Sequence, residues 1–270
     1  MSERSKNILL KIQYDGTNFH GWQKQPDVRT VQGEVEHVLY FIAGHEVPVN
    51  GTSRTDTGVH ALGQCCSFVW DNPLPTEKLA DIMNRRFGAG GLGRSGLPGD
   101  IRIISADEVP MDFHARFSCH GKTYKYIVDR SGDIFERNHV YHYSFPLDHA
   151  AMREAASLAV GTHDFASFQT AGGIPRETTI RTITDISITE EGNKTVIRVT
   201  GDGFLYNMVR ILVGTLLEIG TGKKEAKEME SIIAYTDRSK AGFTAPPEGL
   251  YLEEIYFDDE FKHGGGTCTK

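Results

Sequence analysis

The sequence predicts an α+β protein made of two ferredoxin-like (β-α-β-β-α-β) halves, mainly antiparallel sheet with helices packed on it and an active-site cleft between the halves. Two observations carry this prediction. Period-two and period-3.6 apolar segments alternate in the order β-α-β-β-α-β, and they do so twice. The chain has 270 residues, room for roughly two domains of about 150 each.

In the first half, Asn7 to Tyr14 alternates apolar and polar residues and reads as a strand. Thr30 is a natural N-cap for a helix running to about Ala43, with Val31, Val35, Val38, Leu39 and Ile42 on one face. Val47 to Thr55 and Gln64 to Trp70 read as strands. Thr76 to Phe87 reads as a helix with Leu79, Ile82 and Met83 facing inward, and Ile101 to Val109 as a last strand.

The second half repeats the order without visible sequence identity. Lys122 to Val128 is a strand and Leu147 to Val160 an Ala-rich helix. Thr182 to Thr189 and Thr195 to Thr200 are strands joined by a hairpin turn over Glu190 to Lys194. Leu205 to Ile219 is a helix, Lys223 to Tyr235 a short polar one, and Leu250 to Phe257 the closing strand. The expected division is an N-terminal half over 1–112, a C-terminal half over 113–259 and a flexible, glycine-bearing tail over 260–270.

Composition narrows the function. Hydrophobic residues make up 39% and charged residues 24%, which is too apolar for a disordered chain. No apolar run approaches the roughly 18–20 residues of a membrane span, and Met1 to Lys6 lacks the apolar core of a signal peptide. Cys65, Cys66, Cys119 and Cys268 form neither a disulfide framework nor a C-x-x-C zinc pair. The expected compartment is a reducing cytoplasm, with no membrane partner. The net charge of −7 sits wholly in the second half: residues 1–130 carry 15 Lys/Arg against 15 Asp/Glu, and residues 131–270 carry 14 against 21. A local basic surface in the first half thus stays open despite the total.

Several motifs fail on context. Gly88 to Gly96 contains G-x-G-x-x-G, but it follows a helix and runs into Leu97-Pro98 instead of opening a helix after a strand, so it reads as a loop. Gly222-Lys223 lacks the spacing of a phosphate loop, so no nucleotide cofactor is implied. Eleven histidines include no H-E-x-x-H, and His139, His142 and His149 are too loosely spaced for a ligand set, so no metal is expected.

Three segments remain. Gly51-Thr52-Ser53-Arg54-Thr55-Asp56-Thr57-Gly58-Val59-His60 sets an arginine two residues from an aspartate at a strand end, on one face while the strand lasts. A guanidinium beside a carboxylate keeps it ionised, which suits a nucleophile or base and not a general acid. Alone, such a pair is more often a surface ion pair. Arg210 sits in a helix apolar nearly all round, with no carboxylate at i±3 or i±4. A buried, unpaired guanidinium costs several kcal/mol, so a carboxylate from elsewhere is expected, and Asp56 is the economical choice. The third segment, Phe113 to Tyr126, interleaves basic and aromatic residues. Arg116 and Lys122 offer phosphate contacts there, and Tyr124 a stacking face for an extruded base. Arg29, Arg85, Arg86 and Arg94 lie in the same half.

At these residues the chain resembles the tRNA pseudouridine synthase A family. The matching strings are Tyr14-Asp15-Gly16 through Gly21-Trp22-Gln23, Ser53 to His60, Phe113 to Ser118, Tyr124-Lys125-Tyr126, Asn207 to Arg210, and Glu248-Gly249-Leu250-Tyr251-Leu252, in family order from about residue 8 to 257. It departs from the family at the long glycine-rich loop over 88–96, where a short N-x-x-L-P segment is usual, and in the tail after Phe257. The resemblance implies a cofactor-free isomerase that converts uridine to pseudouridine in the tRNA anticodon stem-loop, acting as a homodimer. It implies Asp56 as catalytic aspartate, Arg54 as the residue that helps place the target nucleotide, Tyr124 packed on the target base and Arg210 paired with the carboxylate. Arg116, Lys122 and Leu250 fall on the substrate side. The alternative is a tRNA-binding module of the same fold without catalysis; a small-substrate hydrolase has no phosphate cradle to support it.

Overall fold

The computed structural model describes residues 5–88, 99–170 and 178–258. The loop over 88–96 lies outside these except for Gly88, as does the tail over 260–270. The architecture is α+β with a mostly antiparallel sheet, and the chain divides into two compact units, one of Met1–His120 with Leu252–Lys270 and one of Gly121–Tyr251.

The first unit contains β1 (Lys6–Tyr14), α1 (Val31–Ala43), β2 (Asn50–Gly51), β3 (His60–Trp70), α2 (Thr76–Phe87) and β4 (Ile101–Val109). Thr30 caps α1 as its residue type suggests, its hydroxyl accepting the Gly33 N–H at 3.3 Å, and Gly44 ends the helix at φ 81. β1 is antiparallel to both β3 and β4, and β2 adds a two-residue rung against Cys66 and Ser67 of β3. Ile8, Leu10, Ile12, Val35, Leu39, Leu79 and Met83 fill the core between sheet and helices.

The expected strand over Val47 to Thr55 is shortened to β2. Val47 and Val49 are buried, so the alternation is real, but only Asn50 and Gly51 pair. Thr52 makes a last ladder bond to the Cys65 carbonyl at 2.9 Å; beyond it Ser53 is bonded by the Gln64 side chain and the Thr55 carbonyl by the Trp22 N–H. Arg54 and Asp56 therefore do not share a strand face.

The second unit contains β5 (Cys119–Asp129, entering from the first unit), β6 (Tyr141–His142), α3 (His149–Ala159), β7 (Gly161–Asp164), β8 (Ile180–Glu191), β9 (Lys194–Gly201), α4 (Met208–Gly220) and α5 (Glu228–Tyr235). β5, β9, β8 and β7 follow one another in antiparallel order, and β6 is a short parallel addition to β5. The β8–β9 turn is tighter than predicted: Glu191 pairs with Lys194, and Gly192 takes φ 65, a conformation glycine adopts freely. α4 starts three residues later than expected because Asn207 is left-handed, with φ 61 and ψ 7. α5 is likewise shorter, beginning at Glu228. The closing strand β10 (Leu250–Phe257) returns to the first unit, where it neighbours β3.

Candidate active site

Asp56 lies half-buried in the loop between β2 and β3. The loop has no regular structure, yet it is fixed at nearly every residue. Gln64 brackets Ser53, its side-chain N–H donating to the Ser53 carbonyl at 2.7 Å. The Thr55 carbonyl accepts the Trp22 N–H at 3.1 Å, the Asp56 carbonyl accepts the Val59 N–H at 3.1 Å, and the Phe19 carbonyl accepts the Gly58 N–H at 3.3 Å. His60 Nδ1 accepts the Gly16 N–H at 3.0 Å. Arg54 is exposed, and Thr57 faces solvent. The result is one carboxylate on a rigid turn with an exposed guanidinium two residues away.

Apart from Gln64, the partners of this loop come from Tyr14 to Trp22, a stretch whose motif carries the family resemblance but no assigned role. Gly21 (φ 81) passes so close that a β-carbon would stand 2.5 Å from the Thr55 carbonyl oxygen. Trp22 is buried, and its indole occupies the space a β-carbon on Gly51 would need, 2.3 Å from Nε1. The available signal was the clustering of glycines with aromatic residues, which marks close backbone approach.

In the second unit, Tyr124 is 6% exposed on β5, with its ring edge-on to Phe204 at 5.3 Å. Lys122 is half-buried on the same strand. Tyr126 is fully buried and donates its hydroxyl proton to the Pro246 carbonyl at 2.7 Å, and burial pushes that phenol well above its ordinary range. Gly249 is required beneath it, since a β-carbon there would sit 2.7 Å from the Tyr126 ring. Leu250, which follows, is buried at the start of β10.

Arg210 is half-buried in the first turn of α4. Its Nε donates to the Ala245 carbonyl at 2.6 Å, and its Nη1 donates to Asn207 Oδ1 at 2.8 Å. These two acceptors are neutral, one of them on the residue just before the helix, and they stand beside the carboxylate partner expected from the sequence. They also fix the orientation of the guanidinium plane.

The basic residues of the first unit are more committed than composition suggested. Arg29 lies over the Phe19 ring at 4.2 Å and pairs with Asp100 at 2.6 Å and Glu34 at 3.3 Å. Arg86 lies over Phe41 at 5.6 Å, and Arg94 is outside the described residues. Arg116 is exposed beside Phe117, itself 77% exposed, with 5.8 Å from guanidinium to ring centroid. That pair has the form of a nucleic-acid contact: a cation and an aromatic face open to solvent. The buried cysteines are not nucleophiles, because burial pushes the Cys65 thiol up to about 12 and Cys66 higher than its usual range as well. A carboxylate such as that of Asp56 is a group of the kind nucleophilic or base chemistry uses.

Comparison with known proteins agrees with the motifs. A family model described as tRNA pseudouridine synthase matches residues 11–118 and 155–258. The chain is 45% identical over 254 residues to tRNA pseudouridine synthase A of Acetivibrio thermocellus, covering 93% of this chain and 100% of that one. It is 46% identical to the Clostridium acetobutylicum protein of the same name over 254 residues, at 93% and 100% coverage. To that of Halalkalibacterium halodurans it is 46% identical over 248 residues, covering 91% and 90%.

Proposed function

The chain belongs to the tRNA pseudouridine synthase family and isomerises uridine to pseudouridine in tRNA; from that premise we propose that its targets lie in the anticodon stem-loop, at about positions 38 to 40, and that Asp56 carries the reaction. The observation that supports this assignment is the Asp56 loop, a rigid turn whose one carboxylate is half-buried.

In the reaction the N1–C1′ bond breaks, the uracil rotates, C5 joins C1′ and the C5 proton leaves. Asp56 attacks C1′ as nucleophile, or removes a sugar proton on a route through a glycal; both need it ionised. Arg210 and Arg54 keep it so. The target uridine leaves its stack, and Tyr124 packs on the extruded base. Arg116 and Lys122 meet the phosphates, and Leu250 lines the base's surroundings. The protein works in the cytoplasm as a homodimer with one tRNA reaching across both subunits.

Tritium release from [5-³H]uridine-labelled tRNA tests the assignment, because only formation of the C5–C1′ bond sends that hydrogen to water. Release by the wild-type chain, with pseudouridine mapped to the anticodon stem-loop by carbodiimide-dependent primer-extension stops, is the expected result. Tight tRNA binding without release would leave the non-catalytic module; release with stops mapping elsewhere would overturn the stem-loop assignment.

A further inference from the structure

Tyr14 ends β1 where the ladder slips on both sides. Against β3 the register shifts between Ile12 and Tyr14, and against β4 it shifts between Lys11 and Ile12. Slips of this kind bend a strand and re-aim the side chains beyond them. The ring of Tyr14 is buried against Phe19, edge-on at 6.5 Å, and against Trp22 at 6.3 Å. At the end of that ring, the hydroxyl shares a 2.7 Å hydrogen bond with Thr55 Oγ1.

Thr55 is itself buried and immediately precedes Asp56. Its side chain is held by Tyr14 and its carbonyl by the Trp22 N–H, while the Asp56 carbonyl is held by the Val59 N–H. The backbone on both sides of the Asp56 side chain is thus tied down, and the tie that reaches Thr55 Oγ1 comes from β1. A phenol buried this deeply needs a partner for its hydroxyl. Filling a core asks only for a ring, so the hydroxyl and its partner are the informative feature.

We propose that Tyr14 is a positioning residue for Asp56, acting through the hydroxyl of Thr55 to set the direction in which the carboxylate points; this rests on Asp56 being the reacting carboxylate. Misaiming a reacting group by about an ångström costs up to about 100-fold in rate while leaving substrate binding intact. Tyr14 touches no reacting atom in this scheme.

The test is kcat and KM for tritium release with Tyr14→Phe, Thr55→Val, Thr55→Ser and the double variant Tyr14→Phe/Thr55→Val, each beside its melting curve. Tyr14→Phe is expected to lower kcat by about 10- to 100-fold with KM for tRNA within about two-fold. Thr55→Val should match it, the double variant should be no slower than either single, and Thr55→Ser should recover most of the rate. A merely structural hydroxyl predicts a lowered melting temperature with unchanged kcat per folded molecule, and that result overturns the proposal. So does a double variant whose loss is the product of the two single losses. If Tyr14→Phe does not fold, Thr55→Val and Thr55→Ser decide alone: equal kcat in the two sinks the idea. Asp56→Asn run in parallel separates the premises. An active Asp56→Asn removes the assignment of Asp56, whereas an inactive Asp56→Asn beside a fully active Tyr14→Phe removes only the role of Tyr14.

Discussion

Gly16 lies so close to Val59 that a β-carbon on it would stand 2.0 Å from the Val59 carbonyl oxygen. Neither side is a flexible side-chain end, so no rotamer change relieves the clash. Gly16→Ala must move the backbone of the Asp56 loop, and it is expected to destabilise the protein by about 2–3 kcal/mol. Urea unfolding gives the number, and tritium release should fall further than the loss of folded protein explains. An alanine variant within about 0.5 kcal/mol of wild type would show that the two segments are not packed as described.

Asp56→Asn keeps the shape of the side chain and removes its charge and basicity. Turnover is expected below about one per cent of wild type, with tRNA affinity changed only a few-fold. Filter binding and tritium release on the same preparation check both halves. A variant that binds and reacts normally would end the case for this carboxylate.

Arg210→Met removes the donors to Asn207 Oδ1 and the Ala245 carbonyl, a loss expected to cost about 1–3 kcal/mol of stability. Its effect on catalysis has a definite sign. A cation that serves Asp56 holds that carboxyl's pKa down, so its removal raises it and moves the acidic limb of the pH–rate profile to higher pH. The double variant with Asp56→Asn should be far from additive. Arg210→Lys should rescue only in part, because a point charge cannot reproduce the separate Nε and Nη1 bonds. An unmoved acidic limb with near-normal rate would dissociate Arg210 from Asp56.

Asp129 sets part of the acid stability. Burial, the largest single influence, pushes its carboxyl up, but the Ser131 hydroxyl, the N–H groups of Gly132 and Ser131, and Lys194 together hold it below the ordinary range. The three hydrogen bonds measure 2.7 Å from Ser131 Oγ, 3.0 Å from Ser131 N and 3.1 Å from Gly132 N. A folded-state pKa that is depressed contributes stability above the unfolded pKa of about 3.9, and that stability is lost as pH falls through the folded value. Asp129→Ala should therefore cost about 2–3 kcal/mol at pH 7. The gap from wild type should narrow at progressively lower pH in urea titrations; a gap independent of pH would contradict the linkage.

The sequence made the periodic elements legible. α2, β4 and β10 have the bounds that alternation or helical spacing predicts, and Thr30 caps α1. What escaped was the aperiodic part. Val47 and Val49 alternate as in a strand because they are buried, while the bonds that would have continued the strand over 53–55 go instead to the Gln64 side chain and to Trp22. Such ties join residues far apart in the chain, and no local pattern encodes them. Asn207 was different: it stood three residues before Arg210 in plain view, but a search for carboxylates passes over a neutral oxygen.

The return of β10 to the first unit ties folding to the order of synthesis. Strand β3 neighbours β10, and β10 is completed only after the second unit, Gly121–Tyr251, has been added to the chain. A ribosome therefore releases β1 to β4 long before that neighbour of β3 exists. During that interval the nascent first unit carries an open backbone edge near Gly63, the place where the Glu253 carbonyl of β10 comes to lie, exposed to the strand-to-strand association that unpaired edges invite. Completion of the first unit waits until the second has been made, so a messenger cut short before residue 250 leaves both units incomplete instead of one finished and one missing.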